Sequence, residues 1–420
     1  MKFKKLAAVL AALMVFALPL SVFASEAEPE EGEEGSGQVT GVEVEPGYDY
    51  SRFKSAGITL NVYNWGEYMS LGLDEGSMDV NAEFEALTGI KVNYTNYDTN
   101  EAMYAKLSSG AASYDIIIPS DYMIGRMINE DMLAPLNFDN IPNYSMIGDA
   151  YKGRDYDPAN QYSVPYMWGY VGIIYNKTMI TEPVDSWAIL WDEKYENDIL
   201  MFDNSRDAYA IASKLIGNSM NPTTKEEIDQ ATKKLSEQKG VVQAYVMDQI
   251  FGKMEGGEAA VAPYYAGDAI TMMDTNPDLA FAVPKEGTNY FVDALCIPKS
   301  STNKEAAEMY INFLCETQVS AANSEYIGYS TPQLEAQAAL PEELRNNPIA
   351  YPSEEILANT ETFNVLPDEL GSYMDTSWTN MRSQTASGNG WVFPVILLAA
   401  VAIIVVTVLQ RRIKKKKNSY

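Results

Sequence analysis

The sequence predicts an α/β protein of two lobes, and three observations carry that reading. The chain has 420 residues, room for about two domains plus appendages. From Ile58 onward, strand-prone and helix-prone segments alternate, the pattern of a parallel sheet wrapped by helices. A second run of such elements extends from Tyr166 to Pro284, with no internal repeat between the two.

Taken in chain order, residues 1–24 carry Lys2, Lys4 and Lys5, an apolar run from Leu6 to Leu20 and the small-residue site Val22-Phe23-Ala24. They are expected to be a secretory signal peptide. The first cysteine is Cys296, so lipid anchoring of a processed N-terminus is not expected. Residues 25–46 hold eight glutamates and no basic residue, and an acidic disordered linker is expected over 25–54.

Ile58–Tyr63 is β-prone, and a helix follows with Val80, Phe84 and Leu87 on one face, stopped by Gly89. Ile90–Tyr94 is the next strand, and the helix around Asn100–Ser108 buries Met103 and Leu107. Asp115–Ile118 is a short apolar strand of the kind covered on both faces, with a helix from Asp121 to Glu130 behind it. Segments 206–216, 224–238 and 305–315 are helical in pattern. After a short linker at 386–390, Trp391–Leu409 is 19 uncharged, mostly apolar residues followed by six basic ones. As a helix it would span roughly 28 Å, close to the ~30 Å hydrocarbon core. A C-terminal transmembrane helix over 391–409 is therefore expected, with 410–420 a basic cytoplasmic tail and the soluble part anchored outside the cell membrane.

Composition excludes several functions. There are 30 basic residues against 58 acidic ones, for a net charge of −28, and the two ends hold nine of the basic ones. Such a surface repels nucleic acid and suits cationic ligands. Histidine is absent and there are two cysteines, which removes histidine triads, zinc clusters and haem ligation. No enzyme activity, metal or cofactor is expected, and neither GxGxxG nor GxxxxGK[ST] occurs. Cys296 and Cys315 are open to two readings, a disulfide outside the cell or two buried thiols.

In open α/β sheets, ligands bind at the carboxyl ends of strands. The loops in those places each pair an aromatic with a carboxylate: Asn64–Tyr68, Pro119–Tyr122, Phe202–Asp207, Pro263–Asp268 and Asn289–Asp293. Aromatic faces attract ammonium groups by roughly 0.5–2 kcal/mol each. Carboxylates hydrogen-bonded to those ammoniums offset the cost of burying both. Methylenes between the charges gain ~0.8 kcal/mol per CH₂ buried against the rings. A slot of this kind fits an elongated oligoamine; a sugar, which also takes aromatics and carboxylates, is the nearest competitor.

The segments YNWGEY (63–68), FEALTGIKVNY (84–94), NEAMYAKLSSG (100–110), YDIIIPSDYM (114–123), YSVPYMWG (162–169), SWAILWDEKY (186–195), VPKEGTNYFVDALCIP (283–298) and IGYSTP (327–332) resemble the spermidine/putrescine-binding proteins. The similarity runs in order over roughly 57–365. It implies a type II periplasmic-binding-protein fold, two Rossmann-like lobes with a hinge, closing on a polyamine outside the cell and presenting it to the permease of an ABC importer. The lobes implied are 55–164 with 292–330, and 165–291 with 331–385. A monomer is expected.

By the same resemblance the ligand-binding positions fall on Trp65, Tyr68, Ser120, Tyr122, Asn204, Asp207, Tyr265, Phe291 and Asp293, with Glu67 and Asp121 as further carboxylates in the same loops. Three positions depart from the family pattern. Asn204 stands where spermidine binders carry a carboxylate, and Tyr265 and Phe291 stand where they carry tryptophans. The missing carboxylate leaves open a diamine or another cation. Each position also has a plainer reading: Ser120 as a helix cap, Asp207 as a partner of Arg206, Tyr265 and Phe291 as core filling, and Glu67 and Asp121 as solvated loop charges.

Overall fold

A computed structural model describes residues 41–383. Ten strands are present there: β1 (Thr59–Trp65), β2 (Lys91–Tyr97), β3 (Ile116–Ile117), β4 (Ser163–Asn176), β5 (Ile199–Phe202), β6 (Val242–Val246), β7 (Val261–Tyr265), β8 (Leu279–Ala282), β9 (Thr288–Cys296) and β10 (Thr360–Glu361). The sheet order is β2-β1-β3-β9-β4-β7-β5-β6, with β8 paired to β4 and β10 to β9. β1 runs parallel to β2 and β3, and β5 runs parallel to β6 and β7, so each half has its own parallel set.

The two halves are joined through β4 and β9. The first part of β4, Ser163–Tyr170, pairs antiparallel with β9. Its remainder, from Val171, pairs antiparallel with β7, and from Ile173 with β8 as well. Nearly every residue of this 14-residue strand is buried, as a strand covered on both faces must be. The buried clusters divide in step with the pairing. One gathers Val171, Trp187, Leu200, Ile228, Val261 and, from the C-terminal helix Asp368–Ser383, Met374 and Met381. Two more gather Leu60, Phe84, Ile118, Met167, Phe291 and Tyr310, and Tyr63, Met103, Ile124 and Ala294.

The α/β alternation follows from local signals. The helix Val80–Thr88 starts on Asp79, whose side chain accepts from the Ala82 amide, and ends at Gly89. The helix Asn100–Ser108 is capped by Thr99. The helix Lys225–Gln238 opens with a capping box between Thr224 and Glu227.

Several expectations are corrected here. No helix among the described residues is long and apolar enough to cross a membrane, so the transmembrane part of the expected fold class finds no support there and the two-lobed α/β architecture is what stands. The segment 391–409, on which that helix and the membrane contact were expected, lies outside the described residues, as do 1–24, 386–390 and 410–420. Within the linker expected over 25–54, residues 41–54 pack against the first half, and 25–40 lie outside the described residues. Val42 and Val44 pack on the first-half core, the Glu45 amide donates to Glu316, and Tyr50 is buried with its hydroxyl on Glu316. The apolar side chains between the glutamates supply that anchoring. The chain after residue 330 also stays longer on the first half than expected: Gly148 donates to the Pro332 carbonyl and Gln333 Nε2 donates to Thr317. Cys296 and Cys315 are buried free thiols.

Candidate functional site

The carboxyl ends of the parallel strands in both halves face one cleft of about 580 Å³. From the first half come Trp65 at the end of β1 and Tyr68 just after it, Asn100 after β2, and Ser120 and Tyr122 after β3. From the second half come Asn204 and Asp207 after β5, Asp248 after β6, Tyr264 and Tyr265 at the end of β7, and Asp268 in the first turn of the helix Ala266–Thr275 that follows. Asn289, Phe291 and Asp293 reach it from the crossing strand β9, and Tyr329 and Phe363 close it.

Four carboxylates line this cleft, each beside a tyrosine hydroxyl. Tyr68 donates to Asp293 Oδ2 at 2.8 Å, Tyr265 to Asp207 Oδ2 at 2.8 Å and Tyr329 to Asp268 Oδ2 at 2.7 Å. The fourth contact, Tyr264 to Asp248 Oδ1, is long at 3.4 Å. The pairing leaves the other carboxylate oxygen of each residue available, and Asp293 Oδ1 is buried without a hydrogen bond among the described residues. No lysine or arginine lines the cleft, and none of the four aspartates joins an ion pair among the described residues.

Burial raises the pKa of every one of these groups, because it disfavours the charged form. It pushes Asp207 up to about 7 against the opposing Tyr265 bond. Asp293 is pushed to about 6, with the Ser120 and Tyr68 hydroxyls holding it down. Asp248 is also raised to about 6, by burial and then by the negative charges of Asp98 and Glu67. Asp268 lies well above the carboxylate range for the same first reason.

Rings fill the wall between the charges. Phe291 meets Tyr265 edge-on at 5.6 Å, and Tyr68 meets Tyr329 edge-on at 4.7 Å. Trp65 is held by its indole N–H on the Ile118 carbonyl at 2.9 Å and by Tyr97 at 4.7 Å. Tyr122 donates to Glu101 at 2.8 Å, which fixes the ring beside Phe363.

Nine of the eleven residues singled out from the sequence thus line one cleft: Trp65, Tyr68, Ser120, Tyr122, Asn204, Asp207, Tyr265, Phe291 and Asp293. Ser120 occupies the cap position of the helix Asp121–Asn129 without a side-chain capping bond, so its hydroxyl is not consumed there. Asn204 does cap its helix, its Oδ1 accepting from the Arg206 and Asp207 amides. That position therefore orients Asp207 and contributes no charge.

Glu67 and Asp121 are not on the wall. Glu67 sits in the turn after β1 with φ of 48°, and its negative charge raises the pKa of Asp248 and Asp268 without its side chain joining the lining. Asp121 is buried in the first turn of its helix, its Oδ1 accepting from the Tyr122 amide, and burial pushes it to about 8. Asp248, Asp268, Tyr329 and Phe363 were missed as single residues. Asp268 ends the Pro263–Asp268 loop and Tyr329 lies in IGYSTP, so both were within reach. Asp248 stands two residues past β6, where the strand-end rule alone would have found it.

A cleft between two α/β halves joined by crossing strands, walled by rings and carboxylates from both, is the site of a solute receptor. The chain belongs to the bacterial extracellular solute-binding proteins, whose family model matches residues 80–352. Over 317 residues it is 34% identical to the spermidine/putrescine-binding periplasmic protein of Salmonella typhimurium, covering 75% of this chain and 89% of the relative. The spermidine/putrescine ABC transporter substrate-binding protein PotD of Streptococcus pneumoniae superposes with a TM-score of 0.64 at 34% identity, over 78% of this chain and 99% of its own. An ABC transporter protein of Listeria monocytogenes superposes with a TM-score of 0.73 at 36% identity, over 77% and 99%.

Proposed function

We propose that this chain captures polyamines of the spermidine/putrescine type outside the cytoplasm and hands them to the permease of an ABC importer. The observation that carries the reading is the charge inventory of the cleft: four aspartates, four tyrosines oriented on them, and no basic side chain on the wall. A buried unpaired carboxylate is costly, and a ligand bearing two or more ammonium groups offsets that cost at several points together. A neutral sugar brings no positive charge to these four carboxyl groups, which disfavours that alternative.

The chemistry is binding without covalent change. Asp207 and Asp293 take ammonium groups, while Trp65, Tyr265 and Phe291 cover the methylenes between them. The lobes we propose are 55–164 with 292–330 and 165–291 with 331–383, except that Pro332 and Gln333 bond to the first half. Closure of the two about β4 and β9 buries the ligand and forms the surface a permease reads, a shift toward the closed state that only a ligand touching both halves produces. The spermidine/putrescine-binding relatives support the substrate class and the transporter context. Mass spectrometry of small molecules released from the purified chain tests the reading. A polyamine in about equimolar amount is the expected result, and a neutral sugar or an anion in its place removes it.

A further inference from the structure

We propose that Arg206 is a latch across the cleft: its guanidinium, carried by the second half, holds the Tyr122 ring of the first half and keeps the closed form shut on any amine that fills the site. The inference rests on the polyamine reading above and adds what retains the ligand once the halves have met. Arg206 does not line the cleft, so it is a positioning residue that acts through Tyr122.

Arg206 lies in the first turn of the helix Ser205–Leu215, behind β5. It is 3% exposed and joins no ion pair among the described residues. Its Nη2 donates to Asn221 Oδ1 and to the Asn364 carbonyl, both at 3.0 Å, whereas Nε and Nη1 are buried without a hydrogen bond. A buried cation so sparsely bonded is costly unless something else faces it. Two rings do. The guanidinium carbon lies 4.6 Å from the Phe363 centroid and 5.5 Å from that of Tyr122, within the range in which an aromatic face attracts it. Phe363 belongs to the second half, where it forms a small buried cluster with Ala210 and Met220. Tyr122 comes from the other side: it packs on the first-half core that holds Tyr63 and Met103, and it meets Phe363 edge-on at 5.7 Å.

The first half presents that ring in a fixed position. The Tyr122 hydroxyl donates to Glu101 at 2.8 Å and accepts from Asn100 Nδ2 at 3.2 Å. The helix that carries Tyr122 is bare at Gly125, where a Cβ would stand 2.4 Å from Val365 Cγ2, so it lies close on the segment that holds Phe363. Opening about β4 and β9 draws Tyr122 away from Arg206 and Phe363 and hands the guanidinium to water. The contact therefore favours the closed form by itself, and a bound amine leaves only after it breaks. By charge alone Arg206 would act the other way. It adjoins Asp207, on which its charge acts, and there it repels an ammonium. The two effects have opposite signs, so removing the charge separates them.

Calorimetry and stopped-flow dissociation of spermidine and putrescine at pH 8 test this on the full chain, on Arg206→Gln, on Tyr122→Leu and on the doubly substituted chain. Arg206→Gln is expected to weaken both amines at least fivefold and by similar factors, with the loss carried by faster dissociation. In the Tyr122→Leu background the same substitution is expected to change affinity less than twofold, because the partner ring is gone. Arg206→Lys keeps the charge and loses the planar guanidinium; it is expected to speed dissociation at least twofold, and it carries the test should Arg206→Gln fail to fold. Unchanged or tighter binding by the Arg206 variants overturns the latch. So does an equal loss with and without the Tyr122 ring, which places the effect inside the second half. Either result leaves the polyamine reading in place. Binding of neither amine by the unmodified chain overturns both.

Discussion

Asp293 shows how a single charge is tolerated inside a strand. It is flanked by apolar neighbours on β9, is 5% exposed, and keeps one oxygen on Tyr68 and the other without a bond. Asp207 is similarly buried at the first turn of its helix, where backbone amides favour negative charge. Asp293→Asn and Asp207→Asn are each expected to weaken polyamine binding at least tenfold by calorimetry, about 1.4 kcal/mol or more. Unchanged affinity in either variant removes that residue from the site. The pH dependence follows from the same burial. Asp207 near 7, and Asp293 and Asp248 near 6, hold protons in the folded empty chain that the unfolded chain releases at lower pH. Between the usual aspartate range and about 7 the folded state binds more protons, so stability of the empty chain falls as pH rises through that window. Ammonium ligands need the deprotonated form, so their affinity and the thermal stabilisation they give rise over the same window. A larger ligand-induced shift in the melt at pH 5.5 than at pH 8 would contradict this assignment. Most of these residues were legible in the sequence because loops at strand ends carried an aromatic next to a carboxylate. Glu67 and Asp121 carried the same signal, and only backbone geometry separates them from their neighbours.

At the scale of elements, periodicity located the early strands and helices closely. The expected helix around Asn100–Ser108 has those bounds, and β3 is the short doubly buried strand anticipated at Asp115–Ile118. What alternation could not show is that β4 runs unbroken for 14 residues and serves both halves, because a continuously apolar strand has no period that marks a change of partner. The anchoring of residues 41–54 was hidden for a related reason, since scattered valines and tyrosines in an acidic segment acquire their meaning only from the surface they meet. One element boundary holds the site directly. Gly328 ends the helix Thr317–Ile327 with φ of 75°, and a Cβ there would lie 2.6 Å from the Gly267 carbonyl oxygen. Tyr329 follows at once. Gly328→Ala is expected to destabilise the chain by ~1–3 kcal/mol through backbone strain, visible as a lower melting temperature. It should also weaken ligand binding by displacing Tyr329 from Asp268. A melt equal to that of the unmodified chain would show that the turn relaxes freely.

For the whole molecule, the strong negative charge and the lack of histidine narrowed the function before any motif was considered, and the order of elements then gave two halves with one cleft. The cleft gathers its polar groups from both halves: the Tyr68 and Ser120 hydroxyls from one, the carboxyls of Asp207, Asp248 and Asp268 from the other, and Asp293 from the strand joining them. A ligand that meets both walls therefore favours closure more than one that touches either alone. The most direct test is calorimetric titration of the full chain with spermidine and putrescine beside a neutral disaccharide, at pH 8. Binding of at least one amine at micromolar affinity or tighter, about −8 kcal/mol, and no heat from the sugar is the expected result. Sugar binding without amine binding would contradict a cleft built for protonated nitrogens.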